Sequence, residues 1–118
     1  MSNAGLSTQI EEREGIRVIH VTGPLDSETH DSLKELLDPL VKQAHVRIVL
    51  DCERLSYVNS KGLMLLARYH RTAVQNLSFF GIAALNSRIL KAIDLLGMGK
   101  LVRLYPTVEE ALQAAALL

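Results

Sequence analysis

The sequence predicts an α/β fold, a mixed and mostly parallel β-sheet of about five strands packed against about four α-helices. Three observations carry that prediction. Short aliphatic runs alternate with longer segments in which apolar residues recur at i, i+3, i+4 and i+7. Capping residues and glycines punctuate those longer segments as helix starts and stops. An early pair of strand-like runs joined by Glu14 and Gly15 reads as a hairpin, which makes the sheet mixed at one edge. With 118 residues and no repeat or low-complexity linker, the chain reads as one domain around a single core.

Composition narrows the function. Hydrophobic residues make up 48% and aromatics only 4%, so the core is built from Leu, Ile, Val and Ala. Thirteen basic residues balance thirteen acidic ones, which leaves no net field to draw the chain to nucleic acid or to an anionic membrane. The single cysteine, Cys52, rules out a disulfide within the chain and fits a reducing compartment. No window approaches the roughly 20 apolar residues of a membrane helix, and no basic stretch precedes an apolar one at the start, so the expected location is cytoplasmic. Residues 1–6 are expected to be a disordered tail, within which Ser2, Asn3 and Ala4 carry no weight.

Taken in order, Thr8 to Arg13 is a weak strand and Ile16 to Thr22 a stronger one. In the latter, Arg17, Ile19 and Val21 share one face and Ile16, Val18 and His20 the other. Gly23 and Pro24 stop it, and Asp26 or Ser27 caps a helix carrying Leu33, Leu36, Leu37, Leu40, Val41 and Ala44. Pro39 lacks an amide and its ring crowds the preceding turn, so it predicts a kink or an early end there. Val46 to Leu50, interrupted only by Arg47, reads as a strand buried on both faces, central and parallel to a neighbour. A short polar loop follows. A second helix then buries Leu63, Leu66, Ala67, His70, Ala73 and Val74, with Asn76 ending it in a left-handed conformation. Ser78 to Ala84 is another buried strand. Asn86 or Ser87 caps a third helix with Ile89, Leu90, Ile93 and Leu96, and Gly97 ends it. Leu101 to Tyr105 is the last strand. Thr107 and Glu110 form a capping box for a final helix whose inner face is Ala111, Leu112 and Ala115.

Within α/β folds, functional side chains gather where strands end and helices begin. Asp51 to Gly62 occupies such a junction, and Ser60 falls at the predicted helix start. Gly62, close behind, lets the backbone approach whatever lies above it. Free amides and the helix dipole favour a negative group at Ser60 by roughly 0.3 to 1 kcal/mol. Periodicity alone does not separate a serine that only caps a helix from one that carries chemistry. On a 100° wheel, Leu65 falls opposite the buried stripe, among Lys61, Arg68, Tyr69 and Thr72, which reads as a basic face with an apolar centre for a partner to dock on.

Over nearly the whole chain the sequence resembles the STAS domains of bacterial anti-sigma-factor antagonists. The matching segments are VTGPLDSET (Val21 to Thr29), IVLD (Ile48 to Asp51), LSYVNSKGL (Leu55 to Leu63) and the late LLGMGKLVRLYPTVEEAL. Family members commonly carry Asp, Ser, Ser or Thr, and Gly at the switch; here those positions are Asn59, Ser60, Lys61 and Gly62. The resemblance implies that Ser60 is phosphorylated by an anti-sigma factor that is itself a serine kinase, that phosphorylation blocks binding, and that a phosphatase reverses it. It further implies that the chain is a binding module rather than an enzyme, that ATP is bound by the partner, and that no cofactor is needed. Asp26, Asn59, Ser60, Lys61, Gly62, Leu65, Arg68 and Tyr69 are the expected partner-binding residues, with weak homodimerisation left open. A phosphoserine adds about 1.5 to 2 negative charges. In a packed interface each ~1.4 kcal/mol of mismatch lowers affinity tenfold.

The runner-up keeps the fold without phosphorylation, as a structural or regulatory subunit of a transporter or stressosome-like assembly. Other chemistry is weaker still. Cys52 with His20, His30, His45 or His70 makes no local catalytic signature, and the histidines lack metal-ligand spacing. His70 is expected to be a hydrogen-bonded core residue, and Cys52 a small buried thiol. Asp51 at a strand end resembles the phosphoacceptor of a response-regulator receiver. That site also needs an acidic cluster and a lysine, which VIHVTG and LVRLYP do not supply. Asp51 is therefore read as ordering the loop that presents Ser60.

Overall fold

A computed structural model describes residues 5–118. Its strands are β1 (Ser7–Arg13), β2 (Ile16–Leu25), β3 (Arg47–Val58), β4 (Phe79–Ala83) and β5 (Leu104–Tyr105), and its helices are α1 (His30–Val41), α2 (Ser60–Gln75), α3 (Ser87–Leu95) and α4 (Val108–Ala116). The five strands form one sheet in chain order, with β1 antiparallel to β2 and every later pair parallel. The predicted fold class, hairpin edge and helix count are all found. The expected tail of residues 1–6 falls partly on 1–4, outside the described residues, whereas Leu6 is buried in the core.

Strand alternation sorts side chains to two unequal faces. Ile19, Val21, Ile48, Leu50 and Ile82 face a large core that α1, α2 and α3 cover. Ile16, Val18, Val49, Phe79 and Ala83 face a smaller one sealed by Ala111 and Ala115 of α4. Fully burying a side chain such as Leu33 or Leu37 of α1 contributes roughly 1.5 to 3 kcal/mol. Since α4 is short, it leaves the far end of its face open, where His20 and Asp51 lie.

The largest departure from expectation is β3. It does not stop at Leu50 but runs to Val58, absorbing what read as a polar loop. Its pairing with β2 explains why. His20 pairs with Asp51 and Thr22 with Arg54, then Gly23 pairs with Leu55 and Pro24 with Tyr57. Each shift inserts one extra residue into β3, a pair of β-bulges. Cys52, Leu55 and Val58 consequently all face the large core at a spacing of three, a period that does not read as a strand. Nor do Gly23 and Pro24 end β2, which continues to Leu25. Gly23 adopts φ +104°, and a Cβ there would strike the carbonyl oxygen of Gly5, so only glycine fits.

Smaller corrections concern ends. α1 stops at Val41, two residues past Pro39 and short of Ala44, the early end that proline predicts. Asn76 is not left-handed (φ −98°); Leu77 takes that conformation (φ 56°), while the side-chain Nδ2 of Asn76 donates to the Val41 carbonyl at 2.9 Å. The last strand shrinks to Leu104–Tyr105, preceded by a 3₁₀ turn at Gly99–Leu101. Val74, Leu90 and Leu96, expected inside, are exposed. Asn86 caps α3, accepting from the Ile89 amide. Thr107 accepts from the Glu110 amide at 3.1 Å, and its hydroxyl donates to the Glu110 carboxylate at 3.2 Å instead of leaving that carboxylate to return to the backbone.

Candidate functional site

The parallel strands β2 and β3 end side by side, Leu25 opposite Val58, and each hands over to a helix. This shared edge carries the candidate site. The Asn59 amide donates to the Leu25 carbonyl at 3.1 Å, which ties the second turn to the first. Asn59, not Ser60, is the N-cap of α2: its Oδ1 accepts from the Gly62 amide at 2.9 Å. Its Nδ2 donates to Ser27 Oγ at 3.3 Å. Ser60 is thereby the first helical residue, its side chain exposed, held from behind by its neighbour's cap.

Asp26 and Ser27 do not cap α1 either. The Asp26 carboxylate accepts from the amides of Glu28 and Thr29 at 2.9 and 3.1 Å, closing its own turn. Thr29, buried, is the N-cap residue; its hydroxyl accepts from the Asp26 amide and donates to the Pro24 carbonyl. The turn is therefore rigid on its own and offers exposed Ser27 to Asn59. The sequence marks Ser27 only as a candidate cap of α1; the parallel strand ends bring it to Asn59.

Gly62 is buried where α2 meets the sheet. A Cβ there would lie 2.9 Å from both Leu25 Cγ and Val58 Cγ1, so the glycine lets the helix start sit directly on the two strand ends. The first turn of α2 holds no acidic residue, only Lys61; Asn59 satisfies the Gly62 amide, while the amides of Ser60 and Lys61 precede any helical carbonyl able to accept from them. The positive end of a 16-residue helix is thus offered to solvent at Ser60.

The outward face of α2 differs from the expected one. Leu65 and Tyr69 are buried, 3% and 2% exposed, and face inward. α2 lies against both the sheet and α1, so its buried arc is wider than one stripe. Tyr69 packs on Phe80 of β4 and donates its hydroxyl to Asp38 of α1 at 2.6 Å. Burial, and then that carboxylate, push its ionisation far above the ordinary range, so it stays a neutral donor. The exposed large apolar residues on this helix are Met64, 67% exposed, with Lys61 and Arg68 to either side at i−3 and i+4, and Val74 near its far end, 51% exposed. The place of Met64 one turn beyond Ser60 was the signal available in the sequence.

The rival chemistries have no footing here. Cys52 is fully buried, and burial pushes its thiol far above the range in which a thiolate forms. Asp51 is not in a loop; it accepts from His20 Nδ1 at 2.7 Å and from the Glu53 amide at 3.1 Å, at the first bulge. The other ring nitrogen of His20 meets Glu11 on β1 at 2.6 Å. The two carboxylates, Glu11 foremost, raise the histidine's pKa above its ordinary value. His70, on α2, is half-buried, with no hydrogen-bond partner among the described residues; burial lowers its pKa. Among the described residues no group of three or more His, Cys, Asp or Glu is arranged to hold a metal. No helix among them is long and apolar enough to cross a membrane.

Comparison with known proteins agrees with this architecture. In sequence the chain is similar to the anti-sigma-F factor antagonist RsfB of Mycobacterium tuberculosis, 27% identical over 107 residues that cover 91% of this chain and 87% of the relative. In structure it is similar to an anti-sigma factor antagonist from Mycobacterium paratuberculosis, with a TM-score of 0.83 and 27% identity across 98% of this chain and 99% of that one. A sulfate transporter family protein from Wolinella succinogenes shares the fold, with a TM-score of 0.72 at 18% identity over 89% of this chain and 88% of that one. The STAS domain model matches residues 7–111, from the first strand into the last helix, and the chain belongs to the STAS domain family.

Proposed function

We propose that this chain is an anti-sigma-factor antagonist that binds an anti-sigma serine kinase while Ser60 is unmodified and releases it once Ser60 is phosphorylated. The observation that carries the reading is the exposed Ser60 hydroxyl on a helix N-terminus that has a neutral cap and no acidic residue in its first turn, at the joined ends of β2 and β3. The names of the relatives, anti-sigma factor antagonists, support the partner class. Asn59 supplies the cap without a charge, so a phosphoryl group at Ser60 meets free amides and Lys61 beside it and no carboxylate from the cap. Asp26, Asn59, Ser60, Lys61 and Arg68 form the surface a partner meets, with Gly62 fixing its height. Adding roughly 1.5 to 2 charges there costs affinity wherever the partner cannot pair them. A phosphatase restores the binding form, and ATP is bound by the kinase.

Incubating the protein with its cognate kinase and ATP and locating phosphate by mass spectrometry tests the switch; modification elsewhere, or none, rejects it. Ser60→Asp is expected to weaken kinase binding at least tenfold in titration calorimetry, while Ser60→Ala binds as the parent does. Equal affinities for the two variants would reduce Ser60 to a structural residue. A second reading, a STAS subunit of a transporter or stressosome-like assembly without phosphorylation, draws on the uncharged Asn59 cap and on the fold shared with the transporter-family protein. Recovery of a transporter component in place of a kinase and sigma factor would favour it.

A further inference from the structure

A second recognition surface lies beyond the Ser60 junction, between the outer side of α2 and the 3₁₀ turn. Its floor is Met64, Ala67, Val74, Met98 and Leu101. Met64, Val74 and Leu101 are each more than half exposed, which is unusual for large apolar side chains grouped in one groove. The charged residues that line it, Arg68, Arg71 and Lys100, are all basic. Among the described residues none of the three takes part in an ion pair. In a chain with thirteen cations against thirteen anions, this is a local excess that the protein itself does not neutralise.

We infer that the groove takes an amphipathic helix of a partner protein, its apolar face on Met64, Val74 and Leu101 and its flanking carboxylates on Arg68, Arg71 and Lys100. The walls decide the form of the occupant. Both are helical, so they offer no free strand edge for an extended peptide to pair with, whereas a helix satisfies its own backbone. The floor runs along α2 from Met64 to Val74, ten residues, or about 15 Å at 1.5 Å per residue. That length accepts close to three turns, enough for apolar anchors at i, i+3 and i+7. The cationic rim selects the sign of the flanks. The groove begins one turn after Ser60 and shares Arg68 with the proposed kinase surface, but it needs no phosphate chemistry at Ser60, and its test reads peptide binding without the kinase.

The test is a titration of the isotope-labelled protein with a synthetic amphipathic Leu/Glu helical peptide and with its Leu/Lys counterpart. The acidic peptide is expected to shift the methyl signals of Met64, Val74, Met98 and Leu101, to bind at least tenfold more tightly than the basic one, and to weaken as salt rises. Arg71→Glu with Lys100→Glu is expected to reverse the preference. Met64→Ser with Leu101→Ser, both exposed positions, is expected to abolish binding with the fold intact by circular dichroism. Equal affinity for the two peptides, or shifts confined to other residues, overturns the inference. So does binding to phosphatidylserine vesicles without binding to the acidic peptide, which would make this a lipid-facing surface.

Discussion

Replacing Gly62 with alanine tests whether the helix start rests on the two strand ends. The new Cβ would lie 2.9 Å from Leu25 Cγ, 2.9 Å from Val58 Cγ1 and 3.1 Å from Leu25 Cδ2. Carbons pack at about 3.5 to 4.0 Å, so the helix must retreat by roughly 0.6 Å or Leu25 must change rotamer. Leu25 is 1% exposed and its Cγ is the branch carbon, so turning it aside only moves the crowding elsewhere in the core. Overpacking of this kind costs about 1 to 3 kcal/mol. Against it stands alanine's helical advantage over glycine, at most about 1 kcal/mol and smaller in a first turn. Steric crowding wins, and the net destabilisation is about 1 kcal/mol, which lowers Tm by roughly 4 °C for a domain of this size. Differential scanning calorimetry reads it directly. Cutting back the neighbour sharpens the measurement: in a Leu25→Ala background, where only the Val58 contact still crowds the new Cβ, the same substitution should cost less, a coupling of at least about 0.5 kcal/mol. A Gly62→Ala protein that melts higher than the parent would refute the close approach.

Two further outcomes follow from the same corner of the fold and its open face. Asn59→Ala removes the acceptor for the Gly62 amide and the donor to Ser27, and should cost about 1 kcal/mol in urea unfolding. Asn59→Asp keeps the acceptor and adds a charge favoured by the helix dipole, so it should be at least as stable as the parent; equal losses for both variants would sink the capping role. His20 carries the pH dependence. A neutral imidazole has one N–H and can donate to only one of Glu11 and Asp51, whereas the imidazolium serves both. Its folded pKa is raised, so its stabilisation is full below about 6.5, its unfolded value, and is lost as pH rises through the folded pKa. Between pH 6 and pH 8 the parent's urea midpoint should therefore fall relative to that of His20→Gln; parallel profiles would show that the bridge contributes nothing.

The parts of this fold that were legible in the sequence are those with one dominant period. α1, α3 and α4 show their inner residues, Leu33 and Leu37, Ile89 and Ile93, Ala111 and Ala115, because the buried residues of each keep to one narrow stripe. α2 misleads because its buried arc is wider, facing the sheet and α1 together. Tyr69 reaches Asp38 on α1 as well as Phe80 on β4, and an assumption of one stripe turned it and Leu65 outward. The junction was placed within one residue: Asn59 and Ser60 are both good caps, and only the bond from the Gly62 amide decides between them. Asp51 to Val58 looked like a loop because the bulges replace a spacing of two by one of three. No local preference announces that change; it depends on pairing with β2, far away in the chain.

The same bulges set the phase of everything that follows them. From Arg17 to Leu25, β2 advances eight residues, 25 minus 17, while β3 advances ten, 58 minus 48, between the partners of those residues. The surplus of two preserves the parity of the strand: a single bulge would leave Val58 pointing to the opposite face and swing Asn59 and Ser60 with it. Length in this stretch is therefore information as much as residue type is. Lengthening or shortening it by one residue rotates the serine out of its setting even if every side chain at the junction is kept.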